Sequence, residues 1–146
     1  MLPDSYGIGA DDVRMTLGRQ GTTLRPGDVV MVRTGRMRVW PDREAYLPAE
    51  PGLNLEGAKL LAEAGAIVIG ADNIALEQAP SPDPDNHHGV HTFLLAEAGV
   101  PIMENVDLET LSAEEVFEFA FVGRAMPIRG ATAAPMHPIA MPLRSS

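Results

Sequence analysis

The sequence contains no cysteine among its 146 residues, which excludes disulfides and thiolate metal sites. Positive charge is scarce: 11 Lys+Arg stand against 20 Asp+Glu, a formal net charge of -9, and Lys59 is the single lysine. The arginines are scattered and form no cluster that could track phosphates, so nucleic acid is not an expected partner. No apolar run approaches the ~20 residues that cross a bilayer, so no membrane span is expected either. The first residues, Met1-Leu2-Pro3-Asp4-Ser5-Tyr6, lack a basic segment leading into an apolar stretch, and no signal peptide is visible. What remains is an acidic domain expected in the cytoplasm. At this length one domain, residues 1–146, is the default, able to bury roughly two-thirds of its unfolded surface. With 45% hydrophobic and 21% charged residues the balance is globular and not that of a disordered chain.

What the sequence has in quantity is punctuation. Fourteen Gly and 13 Pro cut it into short elements, against a long-helix bundle and in favour of strands alternating with short helices. A helical pattern starts near Ala10, with Asp11 and Asp12 suited to the positive end of its dipole, and stops between Gly18 and Gly21. Arg25-Pro26-Gly27-Asp28 reads as a turn feeding the strand-length run Val29 to Val32, closed by Arg33-Thr34-Gly35. Residues 36 to 52 read as a long excursion. Asn54 then caps a helix with Leu55, Leu60, Leu61 and Ala64 as its stripe, Gly65 stops it, and Ala66 to Gly70 is a second buried strand. This rhythm is β-α-β.

From Asp72 to Asn86 three prolines and four acids exclude extended regular structure. A short helix over Thr92 to Ala98, ended by Gly99, and a third strand over Pro101 to Glu104 follow. Ser112-Ala113-Glu114-Glu115 has the spacing of a capping box opening another brief helix. Phe117 to Val122 alternates as a half-exposed strand does, and Pro138 to Met141 suits an edge strand.

Three of the four histidines, His87, His88 and His91, fall within five positions. Imidazole is the commonest neutral metal ligand, and two geometries are open to it. If residues 87 to 91 are helical, His87 or His88 shares a face with His91. Alternatively His91, at a helix start, meets Glu104, at a strand end, on one rim of an α/β layer, a pair that suits Zn, Mn or Fe. A solvated loop is the competing account of the cluster, and no H-E-x-x-H motif is present. Asp72, directly after a buried strand, suits either a functional acid or a turn cap. Trp40 and Tyr46 suit either a pocket for a planar substrate or packing on their own segment. His137 reads as a tail residue without a role.

Taken in order, these residues resemble the putative cyclase family of metal-dependent hydrolases, which includes kynurenine formamidase and isatin hydrolase. The matching blocks are Arg25 to Gly35, Pro51-Gly52-Leu53, Ile67 to Asp72, Val90 to Leu95, Gly99 to Asn105 and Ile128 to Ala140. The resemblance implies an α/β fold of the swivelling β/β/α type, with short helices around a mixed sheet. It also implies a Zn or Mn site that activates water against the carbonyl of a formamide or a cyclic amide (lactam), an arylformamidase-like activity. On this likeness His91 and Glu104 are metal ligands, one extra residue lying between them that a loop would absorb. Asp72 and Arg33, with His87 and His88, support the site or its walls. The family's H-x-G-T-H-x-D signature, which brings the other ligands and the acid/base histidine, has no counterpart: no histidine precedes His87. The likeness is thus to the C-terminal portion of a family member, with no catalytic residue identified. A chain of this kind is expected to be impaired or inactive alone and to form homo-oligomers. The alternative expectation is a non-catalytic relic or assembly module that associates with itself or a partner chain.

Overall fold

The structure, a computed structural model, describes residues 1–143; the remaining three residues of the expected domain lie outside the described residues. Its centre is a parallel three-stranded sheet in the order β2 (Val29–Val32), β4 (Val68–Ala71), β5 (Ile102–Met103). Val30 stands opposite Ile69, and Ile69 opposite Ile102, so the apolar runs read from the sequence become one register. Gly70 occupies the middle of β4 because a Cβ there would come within 2.6 Å of the Met31 sulfur from one neighbouring strand.

Beside this sheet lies a second parallel pair, β1 (Gly7–Ile8) with β3 (Gly52–Leu53), which Glu77 extends through a bridge to Leu53. Helix α1 (Ala10–Gln20) ends at Gly21 in the left-handed conformation and lies on the surface with no buried residue. After β2 come a 3-10 turn (Arg36–Val39) and a single helical turn, α2 (Arg43–Tyr46), so the excursion is ordered although aperiodic. Helix α3 (Leu55–Glu63) starts where the Asn54 side chain accepts from the Gly57 N–H at 3.0 Å. It buries Ala58 and Leu61, which join Ile8, Leu53, Ile69, Leu76, Val90 and Leu94 in the core. Removing a side chain such as Leu61 from that cluster would cost about 2–5 kcal/mol.

Helix α4 begins as Gly89–His91 and continues with the wider π winding over Thr92–Ala98, ending at Gly99, φ 69°. A π turn takes up one residue more than an α turn. The last helix, α5 (Glu109–Ala113), corrects the capping-box expectation: Ser112 lies at its end, not its start. Its true start is set by Asp107, whose carboxylate accepts from the Glu109 N–H at 3.0 Å. β6 (Phe119–Val122) and β7 (Ile139–Pro142) form an antiparallel ribbon apart from the main sheet. The expected mixed sheet is therefore realised as three small sheets, two parallel and one antiparallel. Among the described residues, no helix is long and apolar enough to cross a membrane.

Candidate metal centre

His91 closes the first turn of α4 and Glu104 directly follows β5, so helix start and strand end meet at one rim. His91 Nε2 lies 3.2 Å from Glu104 Oε1. The other ring nitrogen, Nδ1, lies 2.5 Å from Glu77 Oε1. Glu77 is the most enclosed of the three, its side chain 6% exposed against 25% for His91 and 33% for Glu104. A carboxylate so buried must be paired. Glu77 is: besides His91 Nδ1, it accepts from the backbone N–H of Val90 at 3.1 Å and of His91 at 3.2 Å.

Two acids around one imidazole hold its proton tightly. Hydrogen bonds to Glu104 and then to Glu77 push the His91 pKa up to about 9, against the opposing effect of burial. Burial pushes the Glu77 carboxyl up, but the bonds from His91 and from the two backbone N–H groups outweigh it and leave the group below its ordinary value. Without metal, His91 is thus an imidazolium at neutral pH, and taking a metal ion means releasing that proton.

His88 stands beside the pair, its Nδ1 3.8 Å from Glu77 Oε1 and its ring centroid 5.5 Å from that of His91. Glu77, His88 and His91 bring one donor atom each within 4.8 Å of one another, a group able to hold an ion. His87, grouped with them in the sequence, is exposed and lies outside this cluster. Of the residues gathered here, Glu77 escaped sequence reasoning; the apolar Ile74-Ala75-Leu76 just before it was the available signal of burial.

Asp72 is fully buried, and its carboxylate is occupied by the turn after β2. It accepts from the Thr34 N–H, the Thr34 hydroxyl and the Gly35 N–H, each at 2.7 Å. Of the two roles open to it, the structure displays the turn cap. Arg33 makes a bidentate pair with Glu109, both contacts at 2.8 Å, which draws the Glu109 carboxyl below its ordinary value. Tyr46 is interior: its hydroxyl lies 2.7 Å from Asn105 Oδ1 and 3.1 Å from the Asp72 carbonyl, and burial, aided by Glu50, pushes its pKa up to about 12. Trp40 packs edge-on against it, ring centroids 5.1 Å apart, so the contact between the two aromatics stays within their own segment while the Tyr46 hydroxyl reaches across to Asp72 and Asn105. The Tyr46–Asn105 bond fixes the residue next to Glu104.

Two ligands on one Zn ion, each at about 2.0–2.2 Å and at about 90–110° to one another, stand roughly 2.8–3.6 Å apart. The His91 Nε2–Glu104 Oε1 separation of 3.2 Å falls in that range. Imidazole plus carboxylate suits Zn or Mn, and tight sites supply three or four such donors. The residues present therefore fit part of a coordination shell.

Comparison with known proteins bears on what that shell belongs to. Residues 2–78, just over half of the chain, match the family model described as Cyclase, putative cyclase. A solved structure described as a novel cyclase is similar at 31% identity and a TM-score of 0.83, over 96% of this chain and 48% of that one. A second, described as a potential metal-dependent hydrolase with cyclase activity, is alike in fold at 19% identity and a TM-score of 0.62, over 95% of this chain and 59% of that one. The chain thus spans about half the length of these structures. Glu77 lies inside the family match, whereas His91 and Glu104 lie beyond it, in the region covered by the structural likeness. No curated protein matches.

Proposed function

The chain belongs to the putative cyclase family, and from that premise we propose that it carries part of the centre of a metal-dependent amidohydrolase. The observation that carries this reading is the braced His91–Glu104 pair, 3.2 Å between donor atoms. Its ligands are His91, through Nε2, and Glu104. A bound divalent ion, Zn or Mn, supplies an acidified water and a polarised carbonyl. The substrate class is a formamide or a cyclic amide, as in the kynurenine formamidases and isatin hydrolases that the sequence resembles. The work of this chain's own residues is positional. The Tyr46–Asn105 bond steadies the end of β5 that bears Glu104, and Asp72 and Arg33 hold the neighbouring turn and α5. Two ligands fall short of the three or four of a tight site. The reading therefore places the remaining ligands and the acid/base group outside these residues, with the chain alone impaired or inactive.

The test is zinc and manganese binding by the purified chain and by His91→Ala and Glu104→Ala. Binding weakened at least tenfold in both variants is the expected result; binding unaffected by either substitution would overturn the assignment of ligands. Turnover of N-formylkynurenine or isatin by the chain alone, abolished in His91→Ala, would overturn its incompleteness while keeping the chemistry.

A second reading, an assembly module that associates with itself or a partner chain, is favoured by an open groove of about 590 Å³ lined by Val13, Leu17, Val30, Leu111, Phe117 and Phe119. Of these residues Phe117 is the exposed one, and apolar surface left open in a groove is what an association site presents. Sedimentation across a concentration series separates the readings: a concentration-independent monomer removes the self-association form of the second.

A further inference from the structure

We propose that Glu77 is a positioning residue and not a metal ligand: it binds His91 through Nδ1–H and thereby turns Nε2 toward Glu104 and the ion. The inference rests on the metal-centre reading for its functional meaning, but its geometry stands apart from it. Two ion positions are open to His91. One lies on the Nδ1 side, where Glu77 and His88 are the companions; the other lies on the Nε2 side, with Glu104.

Distances favour the second. His91 Nδ1 and Glu77 Oε1, 2.5 Å apart, are in direct hydrogen-bond contact and nearer than two ligands of one ion stand. Glu77 also has little left to offer. Two backbone N–H groups and the His91 Nδ1 contact already occupy its two oxygens, which hold about four lone-pair positions between them. The backbone N–H groups of Val90 and His91 belong to the first turn of α4, which has no intrahelical acceptor for them. Glu77 therefore fixes the helix start and the ring it carries at once.

Nor is Glu77 free to move toward an ion. Its backbone is bridged to Leu53, its carbonyl accepts from Asn73 Nδ2 at 3.4 Å, and Gly52 lies so close that a Cβ there would fall 2.3 Å from the Glu77 carbonyl carbon. The His88 side chain, by contrast, is 72% exposed, and among the described residues it is held through backbone bonds with Asn86 and Thr92 alone. A carboxylate that takes the far N–H of a ligating histidine fixes its tautomer, and its loss typically weakens metal binding about 10- to 100-fold.

The experiment is long-range ¹H–¹⁵N NMR on the 146-residue chain, metal-free and at a pH where the ring is neutral, in the wild type and in Glu77→Ala. The expected result is a His91 ring protonated at Nδ1 in the wild type and at Nε2 in Glu77→Ala, where Glu104 is the remaining acceptor. A wild-type ring protonated at Nε2 would overturn the proposal, and this arm needs no metal. Zinc titration is the second arm: Glu77→Ala is expected to weaken binding about 10- to 100-fold, while His88→Ala leaves it unchanged. Loss of zinc in His88→Ala equal to that in His91→Ala would make the Nδ1 side the ion site and overturn the proposal. If Glu77→Ala does not fold, the wild-type tautomer and His88→Ala still decide. If the wild type takes no zinc, the metal-centre reading fails and the tautomer alone decides the role of Glu77.

Discussion

Replacing Asp72 by Ala should be among the most damaging single changes in this protein. The carboxylate is fully buried, and three donors from the Thr34–Gly35 turn reach it at 2.7 Å. Deleting it strands the backbone N–H groups of Thr34 and Gly35; the Thr34 hydroxyl can rotate to another acceptor, but the two N–H groups cannot. A buried donor without a partner costs about 1–3 kcal/mol. Two of them, relieved in part by water entering the space left behind, give an expected loss of about 3–4 kcal/mol. That is a large share of the ~5–15 kcal/mol by which domains are stable. Asp72→Asn keeps the volume and one acceptor but sets its amide against the Gly35 N–H, so a loss of about 1–3 kcal/mol is expected. Urea unfolding followed by circular dichroism measures both. An Asp72→Ala chain within about 1 kcal/mol of the wild type, at unchanged slope against urea, would refute the view that this acid holds the turn.

Three further outcomes follow from the same geometry. In the metal-free protein the His91 pKa of about 9 lies above the ordinary 6.5, so its pairing stabilises the fold fully below about pH 6.5. That contribution, at most about 3 kcal/mol, fades as pH rises through 9; equal pH dependence of unfolding in the wild type and His91→Gln between pH 7 and 9.5 would contradict it. Gly52→Ala would drive a Cβ to 2.3 Å from the backbone of Glu77, and overpacking of this kind costs typically 1–3 kcal/mol. Thermal unfolding should show the loss, and the His91 ring resonances should shift; a wild-type midpoint with unshifted resonances would contradict the close approach. Arg33→Ala removes a bidentate pair whose partners are 28% and 29% exposed, so it should cost only about 0.5–1 kcal/mol. Chemical denaturation in low and high salt checks this, and a loss above 2 kcal/mol would show that the pair does more than tie α5 to the strand end.

The parts of the fold legible in the sequence are those whose signals are local. Asn54, the apolar stripe and Gly65 lie within a dozen residues of one another, and the structure forms α3 from that cap to that stop. The run Val29 to Val32 needed no partner to be read as a strand. The start of α5 went the other way. The Ser112–Glu115 spacing is a valid local cap, yet the helix begins four residues earlier. There Asp107 accepts the Glu109 N–H, Leu108 is buried, and Arg33, from a distant strand end, grips Glu109. Glu115 instead has φ 52°, outside any right-handed helix. Tertiary contacts outweighed an adequate local pattern.

The site shows the same division more sharply. His91 and Glu104 could be paired from sequence because β-α-β geometry brings helix starts and strand ends to one rim. Glu77 could not, since its burial is decided by partners that no spacing reveals. It bridges Leu53, 24 positions earlier, and it accepts from a helix start 13 positions later. In the sequence it is one acid among four in a proline-rich stretch, where solvation is the ordinary fate of a carboxylate. In the fold it is the acid that determines which face of His91 is free. A ligand's identity follows from its side chain, but the atom it presents follows from what grips its other side, and that second fact exists only once the chain has closed.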